Sequence, residues 1–174
     1  MKSRLLVLIF MVLLVLLAAC DPSPGKFNLY LVAEKISHDE VVKGDLANLR
    51  LDNQPLIAEE DIIWYDPERH EMELTDEALE RIKSLQIPVS GGPDFVVCVG
   101  PERIYGGAFW TPVSSMSFDG VVIWPMLDPS ERTIRIQPGN PSSEWFQGED
   151  PRADRRILRA LRQAGKLRET QLKE

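Results

Sequence analysis

The sequence predicts an α+β domain: an antiparallel or mixed sheet with helices packed on one face. Three observations lead there. Short β-rich or alternating segments recur from residue 27 to residue 137. Two stretches, 75–86 and 151–164, instead carry apolar residues at helical spacing. The order is several strands, a helix, several strands, a helix, with short connections, which favours an α+β arrangement in one domain.

Taken in order, residues 27–32 alternate loosely and read as a first strand. Residues 37–44 are polar. Residues 45–57 give a weak strand with a turn at Asp52-Asn53-Gln54-Pro55. Asp61-Ile62-Ile63-Trp64-Tyr65 is β-rich, and Asp66-Pro67-Glu68-Arg69 is turn chemistry, with proline preset for the second turn position. His70 to Leu74 alternates and puts Met72 and Leu74 on one face. Thr75 is a helix cap, with Asp76 and Glu77 in the positive first turn and Ala78, Leu79, Ile82 and Leu85 as the buried stripe; Pro88 ends the helix. Residues 94–99 are predicted to pair antiparallel with 103–110 through a turn at Gly100-Pro101-Glu102-Arg103. Asp119-Gly120 reads as a turn before a strand at 121–124. Residues 132–137 alternate as a half-exposed strand, and 138–148 read as a polar loop. Asp150 is the expected cap of the last helix, with Pro151 in its first position.

Ahead of this domain, Lys2 and Arg4 precede an apolar run over 5–17, which closes in Leu17-Ala18-Ala19-Cys20. A basic start, a short apolar stretch and small residues before a cut site make a secretory signal peptide. With the cysteine at its end it resembles the lipobox of bacterial lipoproteins. The resemblance implies a signal peptide over 1–19, cleavage before Cys20, and a diacylglyceryl thioether on that residue. The protein would then be lipid-anchored on the outer face of the bacterial plasma membrane, because Asp21 follows the modified cysteine and favours retention there in enteric-type envelopes. The alternative is an uncleaved anchor, but the run falls short of the roughly 20 residues a spanning helix needs, and Asp21-Pro22-Ser23-Pro24-Gly25 cannot continue a helix. Residues 20–26 form a short tether, 27–168 the globular domain and 169–174 a tail expected to be disordered. The six residues 21–26 span at most about 20 Å, so the domain is held close to the bilayer.

The chain holds 20 basic and 27 acidic residues. The distribution says more than the total: residues 21–151 carry 10 basic and 24 acidic side chains, and residues 152–168 carry seven basic and one acidic. An acidic body argues against nucleic acid as a partner, since phosphate binding needs a positive field. At 100° per residue, Arg152, Arg155, Arg156, Arg159, Arg162 and Lys166 fall within about 120° of arc, opposite Ile157, Leu161 and Ala164. This basic face either sits in water or pairs with the acidic body, or it meets anionic lipid headgroups or an acidic partner.

Other chemistry is thinly represented. With Cys20 lipidated only Cys98 remains, in an apolar strand-like run that reads as a buried, inert thiol. No Gly-x-Ser-x-Gly elbow accompanies Ser114 or Ser115. His38 and His70 are isolated, and no metal site or cofactor is expected. Glu59-Glu60-Asp61 reads as a solvated strand edge. The least ordinary segment is residues 104–115, with three aromatics beside two glycines and two serines. It is either a bent hairpin whose rings fill the core or a partner-binding groove, for which Tyr105, Phe109, Trp110, Ser114 and Ser115 are the candidates. Gly106-Gly107 would let the strand bulge or let another backbone come close. Alternation points Phe109 and Trp110 to opposite faces, and Trp110, beside the polar Thr111-Pro112 corner, is expected to be the exposed one unless a second layer covers both faces.

The order of elements from about 56 to 124 includes a strand ending in Leu74-Thr75, a helix, a strand at Phe95 to Val99, and a hairpin with Pro112 before Gly120-Val121-Val122-Ile123. It resembles the periplasmic domain of the SecD export-channel subunit, which implies an α+β accessory fold. The expected function is a membrane-tethered, non-enzymatic interaction module that binds another envelope protein. A small-ligand-binding lipoprotein and an enzyme acting on wall or lipid material are the alternatives.

Overall fold

The computed structural model describes residues 25–125 and 131–168. The expected signal peptide over 1–19, Cys20, most of the expected tether and the expected 169–174 tail lie outside the described residues. Among those described, eight strands form one mixed sheet: β1 (Phe27–Leu31), β2 (Ile57–Ala58), β3 (Ile62–Asp66), β4 (Glu71–Leu74), β5 (Asp94–Val99), β6 (Glu102–Phe109), β7 (Phe118–Trp124) and β8 (Thr133–Asn140). Their order is β2-β1-β5-β6-β7-β8-β4-β3. Every ladder is antiparallel except β6–β7. The expected hairpin is β5–β6, turning at Gly100, whose φ of 57° suits glycine.

The two edge strands are consecutive in sequence, joined by a 3-10 turn at Glu59–Asp61. Four Cα steps cover at most about 15 Å, whereas the edges of a flat eight-stranded sheet lie roughly 34 Å apart. The sheet therefore curls into an open barrel. Its concave face gathers Phe27, Leu29, Ile57, Tyr65, Met72, Phe95, Val97, Phe109, Val121, Ile123 and Ile134 into one core. Beyond the edge strand β3, residues 166–168 continue the pairing, with Tyr65 N–H donating to the Lys166 carbonyl at 2.7 Å and Arg168 N–H to the Tyr65 carbonyl at 2.8 Å.

The two helices read from the sequence both join this core. Helix α2 (Asp76–Lys83) is capped by Thr75 and buries Ala78, Leu79 and Ile82. It sits at the crown, the end where β4 and β6 finish, and Arg81 Nε donates to the Leu56 carbonyl at 3.0 Å. Helix α3 (Arg155–Gln163) buries Ile157, Ala160 and Leu161. It crosses the base, where β1 and β6 begin and β5 and β8 finish. Its start differs from the expected one: Asp150 caps a separate 3-10 turn, Pro151–Ala153, and Asp154 caps the helix.

A third helix, α1 (His38–Lys43), occupies the stretch that read as merely polar. Ser37 and Glu40 form a capping box, and Val41 packs on Val96 and Cys98 of the convex face. It can lie there because Gly106 faces it: a Cβ at that position would collide with the Val41 carbonyl. Asp119-Gly120, expected as a turn, lies inside β7. β8 continues through Pro138 to Asn140, where a loop was expected. Glu59-Glu60-Asp61, expected as a strand edge, is the turn that joins the sheet's two edges.

Candidate interaction surfaces

The aromatic hairpin is core. Tyr105 is 7% exposed, Phe109 0% and Trp110 2%. Alternation holds, with Phe109 in the concave core and Trp110 on the convex side. The expected exposure of Trp110 is overturned because a second layer covers that side too. Helix α1 and the 110–117 crossover lie over it, so both faces of β6 are buried. The Trp110 ring stacks on Phe118, with the edge of His38 against both rings. Its indole N–H has no hydrogen-bond partner among the described residues.

His38 comes from the α1 N-terminus and Asp94 from the start of β5. Their Nδ1 and Oδ1 atoms are 2.6 Å apart. That hydrogen bond raises the His38 pKa above its ordinary value against the opposing effect of burial, with the Asp94 and Asp39 charges adding to it. His70, in the β3–β4 turn, shares a 2.7 Å hydrogen bond between its Nδ1 and the Tyr65 hydroxyl. Burial, helped by the Arg152 charge, lowers its pKa, while burial raises that of Tyr65. Cys98 is 4% exposed, and burial pushes its thiol pKa up, the opposite of what a reactive thiolate needs.

Ser114 and Ser115, paired in the sequence, separate in space. Ser115 is exposed. Ser114 is 6% exposed and bridges two loops: its hydroxyl donates to the Val89 carbonyl and accepts from Met116 N–H at 3.2 Å. The side chains beside these anchors are apolar and face solvent. Val113 is 75% exposed, Val89 62% and Met116 50%. Val89 leads into the start of β5, and Val113 follows the end of β6. This apolar patch thus begins at the crown and runs toward the other end of the sheet, where Asn140 Nδ2 at the end of β8 donates to the Met116 carbonyl at 2.7 Å. Sequence reasoning missed Val89 and Met116, because their loops meet only through the fold.

The base is built differently. Gly25 packs against the backbone of Gly100, and Gly100 N–H donates to the Lys26 carbonyl at 2.9 Å. Two residues on, Glu102 Oε2 pairs with Arg156 Nη1 at 3.0 Å. The chain therefore enters the domain beside α3. Of the six basic residues expected on one face, Arg155, Arg159 and Arg162 are exposed with no ion pair among the described residues. Arg156 is held by Glu102 and Asp154. Arg152 precedes the helix and turns inward, bonded to Asp150 and to the Ile136 carbonyl. Lys166 is half-buried beyond the helix end.

Arg152 also lines an open cleft of about 620 Å³ with Arg69, Arg135, Gln137 and Ser142. Its cations suit an anion, but Arg135 pairs with Glu71 at 2.8 Å and Arg152 with Asp150 at 2.6 Å, leaving Arg69 alone without an ion pair among the described residues. Among the described residues no cluster of His, Cys, Asp and Glu could hold a metal ion, and no helix is long and apolar enough to cross a membrane. Comparison with protein-family models, with curated proteins and with solved structures finds no match.

Proposed function

We propose that this protein is an envelope lipoprotein, held to the outer face of the bacterial plasma membrane through Cys20, and that it acts as a non-enzymatic module binding another envelope protein. The contact is the apolar patch of Val89, Val113 and Met116. One observation carries this reading: the buried Ser114 hydroxyl bridges two loops, and the side chains flanking its anchors are apolar and exposed. Apolar side chains held by a fixed backbone lose little entropy on docking, which favours a protein contact. Val89 and Val113 lie toward the crown, away from the end where the tether enters, and Met116 carries the patch along the convex side toward Asn140. The Trp110 side chain lies on this convex side beside Gly91, while Tyr105 and Phe109 belong to the concave core.

A photo-crosslinking residue at position 113, in the full chain in its membrane, tests the reading. The expected result is a discrete protein adduct that disappears in the Met116→Ser variant and is absent with the probe on the convex edge at Ile63. Equal adducts from positions 63 and 113 would remove the patch from consideration.

A further inference from the structure

We propose that the base of the domain rests on an anionic bilayer, with Arg155, Arg159 and Arg162 against lipid headgroups and Trp145 at the membrane interface. The inference rests on the lipid-anchor reading and adds an orientation to it. Three features converge on the base. First, the chain between Cys20 and Gly25 reaches at most about 20 Å, and Gly25 is seated on Gly100, two residues from the Glu102–Arg156 pair. An acyl chain on Cys20 therefore enters the bilayer within that distance of Gly25, at the end of the domain where α3 lies. Second, Arg155, Arg159 and Arg162 lie within about 60° of one helix face, opposite the buried Ile157 and Leu161, so all three reach the same plane. The rest of the domain is acidic, and an anionic surface would repel it in any other orientation. Third, Trp145, in the 3-10 turn after β8 finishes at the base, is 50% exposed. An indole is suited to the boundary between headgroups and acyl chains. The short reach selects a bilayer over an acidic protein as the occupant, since the membrane is already within range of the helix.

The test uses the full lipidated chain in vesicles of phosphatidylcholine, with or without about one-third phosphatidylglycerol. A fluorophore on Gln163→Cys or Val113→Cys reports energy transfer to headgroup-labelled lipid; buried Cys98 stays unlabelled. The expected result is strong transfer from position 163 only when phosphatidylglycerol is present, and weak transfer from position 113 in both. Each arginine near an anionic surface favours the docked state by about fivefold, so R155E/R159E/R162E should abolish the lipid dependence. The matching lysine variant should retain it, and a thermal melt confirms that both fold. Transfer from position 163 that ignores phosphatidylglycerol, or survives charge reversal in a folded variant, overturns the proposal. Failure of the wild-type chain to float with phosphatidylcholine vesicles would instead overturn the anchor.

Discussion

Trp110 and Phe118 stack with ring centroids 5.0 Å apart and planes 8° from parallel, joining the end of β6 to the start of its parallel neighbour β7. The stack replaces an exposed binding anchor with a second core, on the convex face. Phe109 fills the concave core from the adjacent position, so the two residues should behave alike. Trp110→Ala and Phe109→Ala should each cost about 3–5 kcal/mol in denaturant unfolding. A Trp110→Ala protein of unchanged stability would show that the convex face is not a packed layer.

The seat of α1 on the sheet depends on the missing side chain at Gly106. An alanine there meets the Val41 carbonyl and Cγ1, which belong to the helix as a whole and cannot yield locally. Gly106→Ala should destabilise the domain by at least the 1–3 kcal/mol usual for overpacking, read as a lowered melting temperature and faster amide exchange across residues 38–43. A melt matching wild type would place α1 elsewhere.

The two histidines should pull stability in opposite directions with pH. His38 has a raised folded pKa, so its contribution is fully present below the unfolded value near 6.5 and is lost as pH rises through the folded value. The gap between wild type and His38→Gln should therefore be larger at about pH 5 than at about pH 9. His70 has a lowered folded pKa, so the unfolded chain takes up its proton more readily and the domain weakens as pH falls through about 6.5. His70→Gln should narrow its deficit, or gain, in acid. Parallel pH profiles for both variants would contradict the assigned environments.

Much of this fold was legible in the sequence because the governing signals are local. Thr75 with Asp76 and Glu77 marks the α2 start, and Gly100 between two apolar runs marks the β5–β6 turn. The missed α1 also had a local signal, the Ser37–Glu40 capping box, though its single buried valine gives no periodic stripe. The parallel β6–β7 pairing and the curl of the sheet had none, since strand partners are chosen by long-range packing. That layer also decided the site. Residues 104–110 have the composition of a binding surface, and α1, invisible as an apolar helix, covers half of them. Ser114 was legible as a candidate, but its role as a bridge needed Val89, 25 residues away.

Removing that bridge should separate folding from binding. Ser114→Ala leaves the Val89 carbonyl and the Met116 amide without their partner, at a cost of about 1–3 kcal/mol. Hydrogen exchange should rise at residues 89–92 and 114–117 while the β5 amides stay protected, and crosslinking from position 113 should weaken. Unchanged exchange in both loops would mean that the hydroxyl does not organise the patch.

Everything proposed about orientation and partner depends on the acylation of Cys20. The most direct measurement is the mass and acyl content of the chain expressed in a bacterial host, wild type beside Cys20→Ser. The expected result is a mature wild-type protein that begins at Cys20 and carries a diacylglyceryl group, and a Cys20→Ser protein that accumulates as an unacylated precursor. A Cys20→Ser chain processed normally to the mature size, or a wild-type chain without lipid, would contradict the anchor and the membrane-bound module built on it.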